Sequence, residues 1–129
     1  MIISKVVLLG EHTFKSTAIG YNAQTSKNES TAIGNNSSAG GFQSLAVGYN
    51  AKTNTNTNSE TALGYNAVAN SENSTAVGSG ANALGQYSTA VGYGATTSQA
   101  NAIVLGNNNA NVGIGTVAPN TSAKLDVNG

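Results

Sequence analysis

Cysteine is missing from the 129 residues, so the chain has no disulfide framework and no thiolate site. Its redox compartment is therefore not written in it. Charge is scarce and balanced, with Lys+Arg 5 against Asp+Glu 5. Nucleic acid as a main partner needs a concentrated basic patch, and this balance excludes it. Large apolar side chains are also few. Leu, Ile, Val and Phe make 25 residues, while Ala alone makes 19 and Gly 16. A conventional core of large aliphatics is thus excluded. What remains is disorder, or a thin interior of small side chains within one domain.

What the sequence does contain is a repeat. Ser16-Thr17-Ala18-Ile19-Gly20 recurs as Ser30-Thr31-Ala32-Ile33-Gly34 and Ser44-Leu45-Ala46-Val47-Gly48. It continues as Glu60-Thr61-Ala62-Leu63-Gly64, Ser74-Thr75-Ala76-Val77-Gly78 and Ser88-Thr89-Ala90-Val91-Gly92, with a degraded copy at Ala102-Ile103-Val104-Leu105-Gly106. The glycines step by 14, 14, 16, 14, 14 and 14 residues. Three residues after each Gly comes Ala23, Ser37, Ala51, Ala67, Ala81 or Ala95, and two further on comes Thr25, Ala39, Thr53, Ala69, Ala83 or Thr97. Each unit is two short period-2 segments joined by Asn, Gly and Ser, which reads as strand, turn, strand, turn. Fourteen residues are too few for a domain but enough for one coil of a β-solenoid, stacked on the next at about 4.8 Å. The unit 44–59 holds two extra residues, and Asn54-Thr55-Asn56-Thr57-Asn58 is where they are expected to bulge out.

Alternation assigns faces. The only uniformly small set is Ser/Ala/Gly of the first strand with Ala/Thr of the second, so Ala18, Ala32, Ala46, Ala62, Ala76 and Ala90 are expected inside the roll. Larger residues there would overpack it. Ile19, Ile33, Val47, Leu63, Val77, Val91 and Leu105 then form a column on one outer face. Thr17, Thr31, Leu45, Thr61, Thr75 and Thr89 run beside it. An apolar stripe of that length is seldom left in water. It is expected to be a subunit interface closed by cyclic symmetry; the competing reading turns the aliphatics inward.

The Ser-Thr-Ala-Ile-Gly units at this spacing resemble trimeric autotransporter adhesin heads of the Yersinia adhesin type, over roughly residues 16–108. The resemblance implies a left-handed parallel β-roll and a homotrimer around the long axis. The C-terminal Asn111-Val112-Gly113-Ile114-Gly115-Thr116, Pro119 and Ala123-Lys124-Leu125-Asp126-Val127-Asn128-Gly129 are instead similar to a segment of phage tail-fibre proteins. In those proteins it often precedes an endosialidase-type chaperone that is cleaved away, so an end at Gly129 would match a mature product.

Other motifs yield no chemistry. Lys5-Val6-Val7-Leu8-Leu9-Gly10-Glu11 looks like a nucleotide-binding strand, but no second Gly follows and the spacing to Lys15-Ser16 is one residue short. A strand capping the first coil is the plainer reading. His12 is the only His, short of the three or four ligands a metal needs. Glu29, Glu60 and Glu72 fall near coil boundaries and are expected as solvated turn residues, as are Lys27 and Lys52. Tyr21, Tyr49, Tyr65 and Tyr93 follow the repeat glycines. They are possible ligand-facing residues, with Tyr49 and Tyr65 placed to stack.

The sequence therefore predicts an all-β, left-handed parallel β-roll or β-solenoid of about seven 14-residue coils, homotrimeric. Residues 1–15 are expected as an N-terminal strand or anchor, 16–108 as the roll, and 109–129 as a neck or crossover. The expected function is a non-enzymatic fibre subunit of the phage or viral kind, on a virion surface, with no cofactor and no membrane span. It is set above a bacterial cell-surface adhesin head because residues 1–15 lack the order of a secretory signal. Partners would be the chain itself, a virion, tail or cell-surface protein held through 1–15 or 109–129, and a host glycan or protein receptor. A third reading is a monomeric flat-faced solenoid, such as an ice-binding one, using the Thr/aliphatic face.

Overall fold

The computed structural model describes residues 6–8 and 14–128, and these form strands and turns with no helix. One parallel sheet stacks β2 (Thr17–Ile19), β4 (Thr31–Ile33), β6 (Leu45–Val47), β8 (Thr61–Leu63), β10 (Thr75–Val77), β12 (Thr89–Val91) and β14 (Ile103–Leu105) in that spatial order. A second stacks β1 (Val6–Leu8), β3 (Ala23–Thr25), β5 (Ser38–Ala39), β7 (Lys52–Thr53), β9 (Val68–Ala69), β11 (Asn82–Ala83) and β13 (Thr96–Thr97). Consecutive strands thus alternate between sheets, and the chain winds as a parallel β-solenoid. Six coils carry both strands, and a single strand at each end, β1 and β14, adds a half coil. The half coil at β1 pairs with β3 outside the repeated motif.

Identical residues stack because the period sets the register. Thr17, Ala18 and Ile19 pair with Thr31, Ala32 and Ile33, which pair with Leu45, Ala46 and Val47, and so on to Leu105. Alternation then points the middle residue inward. Ala32, Ala46, Ala62, Ala76 and Ala90 have no solvent exposure, nor do Ala23, at the start of β3, and Ala51, Ala67, Ala81 and Ala95, each just before a strand of the facing sheet. Val104 takes the alanine position in the last coil and is only half-buried, packed against the alanine core. The core is therefore a narrow stack of methyl groups between two backbones. Each side chain contributes little hydrophobic burial, and the continuous ladders of parallel hydrogen bonds run the full length beside it.

The turns set the coil length. Glycines 20, 34, 48, 64, 78 and 92 hold φ between 119° and 136°, a region closed to side chains. They also stack directly: a Cβ on Gly34 would lie 2.5 Å from the carbonyl oxygen of Gly48. Two residues on, Asn22, Asn36, Asn50 and Asn66 adopt left-handed φ near 54–57°, which Asn tolerates. Their amides form ladder contacts, with Asn22 donating to Asn36 and Asn50 donating to Asn66, each at 2.9 Å. Inside the opposite turn, Ser30, Ser44 and Ser88 each donate from Oγ to the carbonyl three residues earlier, at 2.6–2.8 Å. These buried hydroxyls are thereby satisfied.

The segment after the roll is a separate parallel ribbon. β15 (Val112–Ile114) pairs with β16 (Leu125–Val127), and Pro119 in the connecting loop lies over Gly113. Among the described residues no helix is long and apolar enough to cross a membrane.

Candidate functional site

Three surfaces stand out. The first is the outer face of the sheet that starts at β2. Ile19, Ile33, Leu63, Val91 and Leu105 are exposed, and Val47 and Val77 half-exposed. Ile19 retains 55% of its surface and Ile103, which ends the neighbouring Thr column, 72%. The chain alone therefore presents an unbroken aliphatic stripe to water. The opposite sheet presents Gln24, Ser38, Lys52, Val68, Asn82 and Thr96 instead, a largely polar face.

The second surface is the flank that follows the repeat glycines. Tyr21, Tyr49, Tyr65 and Tyr93 are all exposed there. Tyr49 and Tyr65 stack with ring centroids 5.5 Å apart and planes inclined by 12°. Tyr21 and Tyr93 do not join them, because Asn35 and Ser79 occupy the coils between.

The third surface lies on the opposite flank, at residues 40–60, and corrects one expectation. Glu60 is not a solvated turn residue. It replaces the inward Ser of the repeat and is fully buried. Room for it comes from Gly41, one coil below: a Cβ there would lie 2.4 Å from Glu60 Oε2 and 2.2 Å from the Thr57 carbonyl oxygen. The two extra residues of the third coil give the rest, turning outward as an exposed bulge at Thr55 and Asn56. Thr57 donates its hydroxyl to Glu60 Oε1, while Oε2 has no hydrogen-bond partner. Burial pushes the Glu60 carboxyl up to about 7; a hydrogen bond from its own backbone amide opposes this, and nearby Glu72 adds to it. Glu29, in contrast, is exposed and sits 3.8 Å from Lys15. Lys52 is exposed.

On the same flank, a cavity of about 410 Å³ is lined by Asn28, Glu29, Phe42, Gln43 and Asn58. Phe42 forms an isolated parallel bridge with Asn58 and carries Lys27 Nζ 5.5 Å above its ring. Sequence reasoning passed over Phe42, Gly41 and the burial of Glu60. The available signal was positional: a Glu where Ser recurs, preceded by the only irregular step and a Gly-Gly pair.

Among the described residues no three His, Asp or Glu side chains gather into a metal site. His12, Glu11 and Gly10 lie outside the described residues; of the stretch compared with a phosphate loop, Val6–Leu8 form β1.

No curated protein matches the chain in sequence. The family of the YadA head domain repeat (2 copies) matches residues 14–37, 39–59, 61–81 and 83–109, which together make up well over half of the chain. The matched segments span the coils described above. The chain belongs to the YadA head domain repeat family.

Proposed function

We propose that the chain is the head of a homotrimeric adhesin displayed at a cell surface, with a structural rather than catalytic role. The observation that carries this reading is the exposed aliphatic stripe on one sheet. Seven stacked aliphatics in register, Ile19 to Leu105, are self-complementary under a rotation axis parallel to the stack. The family match supports a left-handed roll with three copies around that axis. The polar sheet and the turn flanks then face outward as the attachment surface.

The family match supports the adhesin head over the virion fibre subunit favoured by the sequence. The fibre reading rests on the lack of a secretory-signal order in residues 1–15 and on residues 111–129, which lie beyond the matched segments and contribute a ribbon of their own. In the proposed trimer these residues serve as a neck leaving the roll, and residues 1–15 contribute the first half coil through β1.

Analytical ultracentrifugation of the purified chain tests the assembly. A trimer at micromolar concentration supports the reading. A stable monomer overturns it and favours the flat-faced binding solenoid. Attachment of beads coated with the trimer to host cells or extracellular matrix tests the role.

A further inference from the structure

In a solenoid whose coils are interchangeable, a ligand-specific site requires coils that differ. Three departures from the repeat occur here: the two-residue bulge of unit 44–59, the Gly40-Gly41 pair and the buried Glu60. Beside them stands Phe42, in a turn column that runs Phe14, Asn28, Phe42, Asn58, Glu72 and Gln86. The three departures and Phe42 meet at one place. Gly41 opens the space that Glu60 fills, and Phe42 bridges Asn58 at the end of the bulge. The cavity of about 410 Å³ is lined by Phe42 and Asn58 among these, and its size is within the range of small-ligand sites.

From this convergence we infer that the notch around Phe42 is a sugar-binding subsite, taking a neutral hexopyranose residue of a surface glycan. The inference rests on the adhesin reading and names the ligand class of its attachment surface.

The lining matches a pyranose in kind. Phe42 is an exposed aromatic ring at the wall, suited to the apolar C–H face of a sugar. Asn28, Gln43 and Asn58 supply three carboxamides, each able to donate and accept toward vicinal hydroxyls. Glu29 supplies a carboxylate already held in place, with Oε2 accepting from Gln43 Nε2 at 2.9 Å. Glu29, the one charged group of the lining, is paired with Lys15 at 3.8 Å, and Lys27 Nζ sits over one face of the Phe42 ring. With carboxamides making up most of the polar lining, a neutral polyol is favoured over a charged ligand. None of these residues belongs to the aliphatic column.

The test is saturation-transfer NMR on the full chain in its native oligomeric state. The probes are methyl β-galactopyranoside, methyl α-mannopyranoside and methyl N-acetyl-β-glucosaminide. At least one is expected to bind at millimolar concentration. Phe42→Ala should weaken it about tenfold or more, and Asn58→Ala several-fold, while Val117→Ala, in the exposed loop of the C-terminal ribbon, leaves it unchanged. Phe42 is exposed, so its variant is expected to melt like the parent. Absence of binding by all three glycosides, or equal binding by Phe42→Ala, overturns the inference. Cell attachment without glycoside binding sinks the notch alone. Glycoside binding without cell attachment sinks the adhesin reading and keeps the notch.

Discussion

The two sheets of the roll share a winding, a register and an alanine interior, yet their outer faces differ in chemistry. One carries Ile19, Ile33, Val47, Leu63, Val77, Val91 and Leu105; the other carries Gln24, Ser38, Lys52, Val68, Asn82 and Thr96. Both sheets are parallel and in register, so pairing alone does not demand the aliphatics. The difference teaches that inward positions specify the coil while outward positions specify its company. A face that must meet another copy repeats one residue type coil after coil, because rotation brings like to like. A face that meets solvent is free to vary.

Several substitutions break or sharpen this contrast. The largest effect is expected where the sheets are alike. Ala46→Leu and Ala51→Leu each place an isobutyl group into the methyl stack, from opposite sides. Both should destabilise by about 3 kcal/mol or more, read as equal large drops in thermal midpoint. A large asymmetry between them would mean that the interior is not shared.

Next comes the contrast itself. Ile33→Asp puts a charge on the aliphatic face and should reduce the trimer to monomer in sedimentation velocity, with circular dichroism still reporting strand. Ser38→Asp, at the polar face of the same coil, should leave assembly intact. If Ile33→Asp still assembles, the stripe is not the interface.

A smaller effect belongs to Glu60, which disturbs the interior both sheets share. Its carboxyl titrates near 7 when folded against an ordinary 4.5, so the folded chain holds the extra proton between these values. Stability from this group is complete below about 4.5, declines as pH rises, and is lost through about 7. Thermal midpoints should fall across that window, and Glu60→Gln should flatten the fall.

The smallest effect is expected at the turn ladder. Asn36→Asp retains the oxygen that accepts from Asn22, so a change below about 0.5 kcal/mol is anticipated, with assembly unaffected. Urea unfolding would detect anything larger.

How much of this was legible in the sequence depends on whether a feature repeats. The coil, its two strands and the parallel stacking follow from the spacing of Gly20 to Gly106, since a fixed period forces each residue onto its counterpart. A strand before the first coil was expected and is found at Val6–Leu8, but its place in the winding was not legible, because these residues carry none of the repeat's pattern. The ribbon of Val112–Ile114 with Leu125–Val127 was hidden for the same reason. Glu60 was misread because charge ordinarily signals solvent. Its burial depends on Gly41, nineteen positions earlier and one coil below, a relation visible only once the coils are stacked. The notch is likewise a meeting of Asn28, Phe42 and Asn58 from three successive coils.

The stacked glycine turns carry a consequence for length. Each backbone rests directly on the next at Gly20, Gly34, Gly48, Gly64 and Gly78, so every coil offers the same seat above as it occupies below. A duplicated stretch of 14 residues, such as 74–87, would find its place without redesign, and the rod would grow by about 4.8 Å per copy. Reach is thus a quantity this architecture adjusts by counting, one unit at a time, with no change to its cross-section.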